Sequence, residues 1–221
     1  MIYTVISTVE KNKIQQNKDC RFIRQSLSLL PEKVEKYVEN TKNESVKQER
    51  RLAYSTLFCS LKAFFNLDEI EISRTENGKP YIKNSDISIS LSHSDGVIAI
   101  CISDGGDVGI DIQSEIDPER QKRLENRFFT DYEMKNEKIP TEYYFCSFSG
   151  DEAIFESIAP DVCDTDGFSA KWSAAESLMK LNGGGFGDIN SLPRLAEESR
   201  TDIREIILNK KYYLAISVKE K

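Results

Sequence analysis

Histidine and tryptophan each occur once in this 221-residue chain, as His93 and Trp172. One imidazole among five scattered cysteines, none of them in a C-x-x-C pair, argues against a zinc site. The odd count of Cys20, Cys59, Cys101, Cys146 and Cys163 fits reduced thiols better than a disulfide framework. No apolar run approaches the ~18 to 20 residues that span a membrane. The first residues, Met1-Ile-Tyr-Thr-Val-Ile6, lack the basic segment and long apolar stretch of a secretion signal, so a cytoplasmic location is expected. Positive charge is also short: 30 Lys plus Arg face 37 Asp plus Glu, for a net charge of -7. That sign argues against general affinity for DNA, RNA or anionic lipid. An anionic ligand would need a local cationic pocket.

The chain does have the makings of a core, with 39% hydrophobic residues including 11 Phe and 9 Tyr, against 30% charged. This balance excludes disordered and fibrous classes. Its length suits one large domain or two small ones. Alternation predicts a strand over 2–9, and apolar spacing predicts a helix over 22–30. Pro31 opens a second short helix. A longer helix is expected over 44–65, capped by Asn43 or Ser45 and striped by Val46, Leu57, Leu61, Phe64 and Phe65. Strands follow at 69–73, 87–91, 97–102 and 108–113, separated by Gly-containing turns.

Beyond Pro118 a similar order returns: a helix over 119–127, another begun by Thr130 with Glu133 three residues on, and a long helix over 168–181 ended by Asn182-Gly183. A hairpin over 203–208 and 212–218 closes the chain. The fold class is thus α+β, in two similar α/β halves at 1–105 and 106–221, each a small, largely antiparallel sheet packed with helices. Residues 138–167, rich in Ser, Gly, Asp and Pro, read as an inserted mobile loop.

Several residues could carry chemistry. In Val108-Gly109-Ile110-Asp111-Ile112-Gln113 the apolar residues share one face, leaving Gly109, Asp111 and Gln113 on the other. Asp111 is either a strand-end carboxylate in water or, beside a glycine that admits close approach, a ligand for an oxygen-seeking cation such as Mg²⁺. Glu176 and Lys180 form an i,i+4 pair bordering the stripe of Trp172, Ala175 and Met179, suited to a surface ion pair or the edge of a groove. Ser92-His93-Ser94-Asp95-Gly96 is a plain turn, a set of phosphate donors or a Ser-His nucleophile. Lys33, Lys36, Lys47, Arg50, Arg51 and Lys79 are solvated charges individually. Together with His93 they could form the required cationic pocket, suited to a ligand with several phosphates.

Six segments, in order from about residue 31 to 185, resemble the surfactin-synthetase type of 4′-phosphopantetheinyl transferase. They are Pro31-Glu-Lys-Val-Glu-Lys36, Gly78-Lys79-Pro80, Ser92-His93-Ser94, Val108-Gly109-Ile110-Asp111-Ile112, Arg127-Phe128-Phe129 and Trp172-Ser-Ala-Ala-Glu-Ser-Leu-Met-Lys180. The resemblance implies a pseudo-twofold monomer with coenzyme A and Mg²⁺ between its halves. It implies transfer of phosphopantetheine from coenzyme A to a serine of an apo acyl or peptidyl carrier protein, with release of adenosine 3′,5′-bisphosphate.

By position, Lys33, Lys36, Arg50 and Lys79, with Pro80, would hold the 3′-phosphate end, and Ser92 and His93 would contact coenzyme A phosphates. Asp111 and Glu176 would bind Mg²⁺ beside Gln113, Glu176 would take the serine proton, and Lys180 would stabilise the leaving phosphate. The chain departs from the family at Gln113, where many relatives are acidic, at Ala175 and Gly183-Gly-Gly185, where lysines are common, and in the 138–167 segment. These departures keep open a non-catalytic relative that only binds coenzyme A or a carrier protein. A hydrolase built on Ser92 and His93 is a further alternative.

Overall fold

The computed structural model describes residues 1–9, 21–27, 30–128, 135–163, 165, 167–183 and 190–219. Its α+β fold is layered as helix, sheet, sheet, helix. The larger sheet has the order β2-β9-β8-β1-β6-β5. These strands are β1 (Ile2–Thr8), β2 (Phe22–Ser26), β5 (Ser88–Ser94), β6 (Val97–Ser103), β8 (Glu142–Ser149) and β9 (Glu152–Ile158). The smaller, antiparallel sheet has the order β10-β11-β12-β7, from β7 (Val108–Ser114), β10 (Asp161–Val162), β11 (Ser199–Ile207) and β12 (Lys211–Lys219). A two-stranded hairpin, β3 (Ile72–Arg74) and β4 (Pro80–Ile82), stands apart. The helices are α1 (Glu32–Glu39), α2 (Glu44–Phe65), α3 (Pro118–Phe128), α4 (Phe168–Leu181) and α5 (Leu192–Glu197). Among the described residues no helix is long and apolar enough to cross a membrane.

Strict alternation along β6 explains the layering. Val97, Ala99 and Cys101 point between the sheets toward Val108, Ile110 and Ile112 of β7 and Leu214 and Ile216 of β12. Ile98, Ile100 and Ile102 point the other way, onto Leu57, Phe58 and Leu61 of α2. The Asn43 side chain caps α2 by accepting from Val46 N–H at 3.2 Å. The far face of the smaller sheet is covered by α4, where Ala170 and Ala174 meet Ile203 and Ala215.

Two expectations are corrected. Residues 22–26 form a strand, where the sequence predicted a helix, because β2 pairs antiparallel with β9. Ile23 turns toward the cluster of Phe155 and Tyr144, while Phe22 stays exposed. Local helical spacing is the weaker force once a sheet edge is available. The 138–167 segment is no inserted loop either: β8 runs parallel to β1, and β9 returns antiparallel to β8. Its aromatics divide by period two, Tyr144 and Cys146 packing with Phe64 of α2 and Phe145 entering the intersheet core. Gly150, at φ 56, lets the chain turn between these strands. The helix predicted to begin at Thr130 lies outside the described residues.

The tightest approach in the fold is α4 over Gly109. A Cβ there would sit 2.0 Å from Ser177 O and 2.5 Å from Leu181 N, both rigid helix backbone. Gly109→Ala should therefore lift α4 off β7 and cost about 3 kcal/mol or more, the upper range of overpacking. Urea unfolding of the variant checks this. An unchanged midpoint would mean that the helix has room to move.

Candidate active site

β5 and β7 are neighbouring edges of different sheets, joined through side-chain hydroxyls. Ser88 Oγ accepts from Val108 N–H at 3.2 Å, Ser90 Oγ from Ile110 N–H at 3.1 Å, and Ser94 Oγ from Ser114 N–H at 3.2 Å. Ser92 belongs to the same row, but its hydroxyl donates to Asp111 Oδ1 at 2.7 Å. The row of stitches changes partner at the carboxylate. β5 runs through Ser94, so Ser92 and His93 sit on the strand itself, and the turn is confined to Asp95 and Gly96 at positive φ.

Serines also seat α4 against this seam. Ser173 Oγ lies 3.2 Å from both the Asp111 and Tyr213 carbonyls as donor, and Ser177 and Ser217 hydroxyls meet at 2.7 Å. Helical spacing then aligns Trp172, Glu176 and Lys180 on one side of α4. Lys180 Nζ donates to Asp111 Oδ1 at 2.6 Å and to Ser92 Oγ at 2.8 Å, and lies 3.7 Å from Glu176. Trp172 is 2% exposed and stacks on Phe168, with ring centroids 6.0 Å apart. As expected, α4 ends at Asn182, with Gly183 at φ 72.

Asp111 is 2% exposed, which disposes of the strand-end reading in water. Its Oδ2 is buried without a hydrogen-bond donor. Burial first, then the charge of Asp111, pushes the Glu176 carboxyl up to about 7, with Lys180 pulling the other way. Glu176 and Asp111 lie within hydrogen-bonding reach, yet one carboxylate can bond another only through a proton or a shared cation. A lone buried oxygen beside a second carboxyl fits an oxygen-preferring dication such as Mg²⁺. Gln113 is buried on the same strand face, its amide nitrogen donating to Ser114 O at 3.0 Å. Among the described residues no three His, Cys, Asp or Glu side chains gather as a metal cage, so the donors here are two carboxyls and an amide.

Next to this cluster opens a cavity of about 360 Å³ lined by Arg50, Lys79, Pro80, His93 and Lys180 among others. Lys79 Nζ donates to Leu181 O at 3.0 Å, at the negative end of α4, and burial lowers its pKa. His93 Nδ1 lies 3.2 Å from Glu49, a carboxylate that also lines the cavity. Lys33 and Lys36 are not brought there. α1 buries Val34 and Val38, which turns both lysines outward to pair with Glu71 and Glu32.

The sequence reading missed Tyr37, Tyr54 and Arg74, all of which line the cavity. The Tyr37 ring is flanked by Arg50, 4.8 Å from its centroid, and Arg74, at 5.4 Å. Arg74 also donates to Tyr54 Oη at 2.9 Å. The available signal was hairpin register: Arg74 lies opposite Pro80 across the turn that carries Lys79. Compared with known proteins, the chain matches no family model and no curated relative.

An acid whose pKa rises on folding holds more protons folded than unfolded, here between about 4.5 and about 7. Its contribution to stability is present at low pH and declines as pH climbs through that window. In metal-free protein, Glu176→Gln should remove this decline and raise stability at pH 7.5 by on the order of 2 kcal/mol. Urea unfolding in a chelator at pH 5 and pH 7.5 measures it. A variant that keeps the wild-type slope would contradict the account of Glu176.

Proposed function

We propose that the protein transfers the 4′-phosphopantetheine group of coenzyme A to a serine of an apo acyl or peptidyl carrier protein. Support comes above all from Lys180, which bonds Asp111 and Ser92 while also lining the cationic cavity. One ammonium thus joins a carboxyl cluster to a place suited to phosphates. The cavity's guanidinium groups against the Tyr37 ring suit a phosphorylated nucleotide with a flat base. The resemblance of the segments around Lys79, Ser92, Asp111 and Glu176 points the same way.

In this scheme the carrier serine Oγ forms a bond to the β-phosphorus of coenzyme A, and the bond from that phosphorus to the bridging oxygen breaks. Adenosine 3′,5′-bisphosphate leaves with the electron pair. Glu176, poised near neutrality, accepts the serine proton directly or through water. Lys180 faces the charge that grows on the leaving group. Asp111 and Glu176, with Gln113 alongside, would hold Mg²⁺, whose contribution is to screen the pyrophosphate oxygens. Ser92 keeps Asp111 and Lys180 in register.

The test is mass spectrometry of several apo carrier proteins incubated with the full chain, coenzyme A and Mg²⁺. A phosphopantetheine adduct on the carrier serine is expected, falling at least ~100-fold in rate with Glu176→Gln while coenzyme A still binds. Coenzyme A binding without any adduct would favour a binding relative, and free hydrolysis of coenzyme A would favour a hydrolase. Lys79→Ala should weaken coenzyme A more than its 3′-dephospho form. Equal losses for the two would remove Lys79 from the 3′-phosphate.

A further inference from the structure

A second and larger concavity, about 830 Å³, shares no lining residue with the first. It lies where β1 and β8 begin and β9 ends, with Arg204 of β11 in its wall. This volume falls within the range of about 300–1,000 Å³ typical of small-molecule sites. Its apolar lining includes Ile2, Ile139, Tyr144 and Ile158.

Its cations differ from Arg24, Lys33, Lys62 and Lys83, each of which has a carboxylate within reach. Around this concavity the Arg21 and Lys138 side chains pair with no described carboxylate. Arg204 is only 9% exposed and spends one side of its fork on buried Asp202, through Nε at 2.7 Å and Nη2 at 2.9 Å. Beyond these two bonds Arg204 makes no well-aligned side-chain hydrogen bond among the described residues. The Tyr143 hydroxyl lies close to Arg204 and to Thr141 but forms a well-aligned bond with neither, and the Thr141 hydroxyl has no hydrogen-bond partner either. Burial, foremost, raises the Tyr143 pKa, which keeps that hydroxyl a donor. Among the described lining residues the one carboxylate, Glu142, is exposed and accepts from Tyr144 Oη at 2.8 Å.

A half-used guanidinium fork beside a phenol with no well-aligned bond among the described residues, set in an apolar wall and rimmed by two cations that pair with no described carboxylate, suits one chemistry. We propose that this concavity binds a small organic carboxylate with an apolar body. The carboxylate would lie along the free end of the Arg204 fork and accept from Tyr143, Arg21 and Lys138 would add long-range attraction, and the body would cover Ile139 and Tyr144. A planar two-oxygen anion suits the remaining edge of a planar fork.

The probes are benzoate and octanoate, with benzamide and octanamide as uncharged controls, titrated calorimetrically into the full chain. At least one acid should bind saturably at one site and its amide should not. Tyr143→Phe, and separately the pair Arg21→Ser with Lys138→Ser, should each weaken binding about tenfold, the effect of losing a charge-assisted bond, at an unchanged unfolding midpoint. Both variants leave the Arg204–Asp202 pair intact. Saturating coenzyme A and Lys79→Ala should have no effect, which separates this site from the first cavity. Lack of saturation by either acid, equal binding of the amides, displacement by coenzyme A, or binding of an acidic peptide alone would overturn the proposal.

Discussion

Where β5 meets β7, two sheet edges face each other without a shared backbone ladder, and serine hydroxyls take the place of ladder bonds. Buried main-chain N–H groups must find acceptors, and Ser88, Ser90 and Ser94 provide them, each contact contributing about 1 kcal/mol net. Ser92 departs from the row to hold Asp111 instead. Gly109, two residues earlier, allows α4 to settle so close that Glu176 and Lys180 reach the same spot. The carboxyl cluster is thus a by-product of how two sheets and one helix are joined. Its position depends on small side chains: four serines, one glycine and the alanines where α4 meets the smaller sheet.

The electrostatics follow from that packing. Closing α4 over β7 buries Asp111 and most of the Glu176 side chain, and burial beside the Asp111 charge disfavours the charged form of Glu176 unless a cation is near. Lys180 meets part of this need, and the unpartnered Asp111 oxygen marks what it leaves unmet. The adjoining cavity supplies the opposite sign. Arg50, Arg74, Lys79 and Lys180 gather there in a chain that is acidic as a whole, so the positive potential is local to the cavity.

Much of the fold was legible because local signals agreed with tertiary ones. The Asn43 cap, the period-two pattern of β6 and β7, and the Asn182-Gly183 stop all survive in the structure. The failures came where local chemistry pointed away from a distant partner. Ser, Gly and Asp between residues 147 and 151 suggest a loop, yet they flank and form a hairpin turn whose first strand pairs with β1 and whose second pairs with β2, both far earlier in the chain. At the site, strand parity set Asp111 on the polar face and helical spacing paired Glu176 with Lys180, but both patterns also fitted plain surface charges, and the resemblance of the surrounding segments singled them out. Lys33 and Lys36 were misleading because their charge was weighed without asking which face of α1 is buried. Arg74 was missed because its placement depends on the exact register of a three-residue strand. The serines at 88, 90, 92 and 94 were visible, but nothing local says that their partners stand on β7.

If the carboxyl cluster and the cationic cavity form one site, a dication and a pyrophosphate ligand must bind it cooperatively, since each offsets the charge that burdens the other. Calorimetric titration of coenzyme A with and without Mg²⁺, in the wild type and in Asp111→Asn, measures that coupling directly. Mg²⁺ should tighten coenzyme A binding at least ~10-fold in the wild type and have little effect in the variant. Coenzyme A affinity that is indifferent to Mg²⁺ in the wild type, or undetectable in both conditions, would contradict the account.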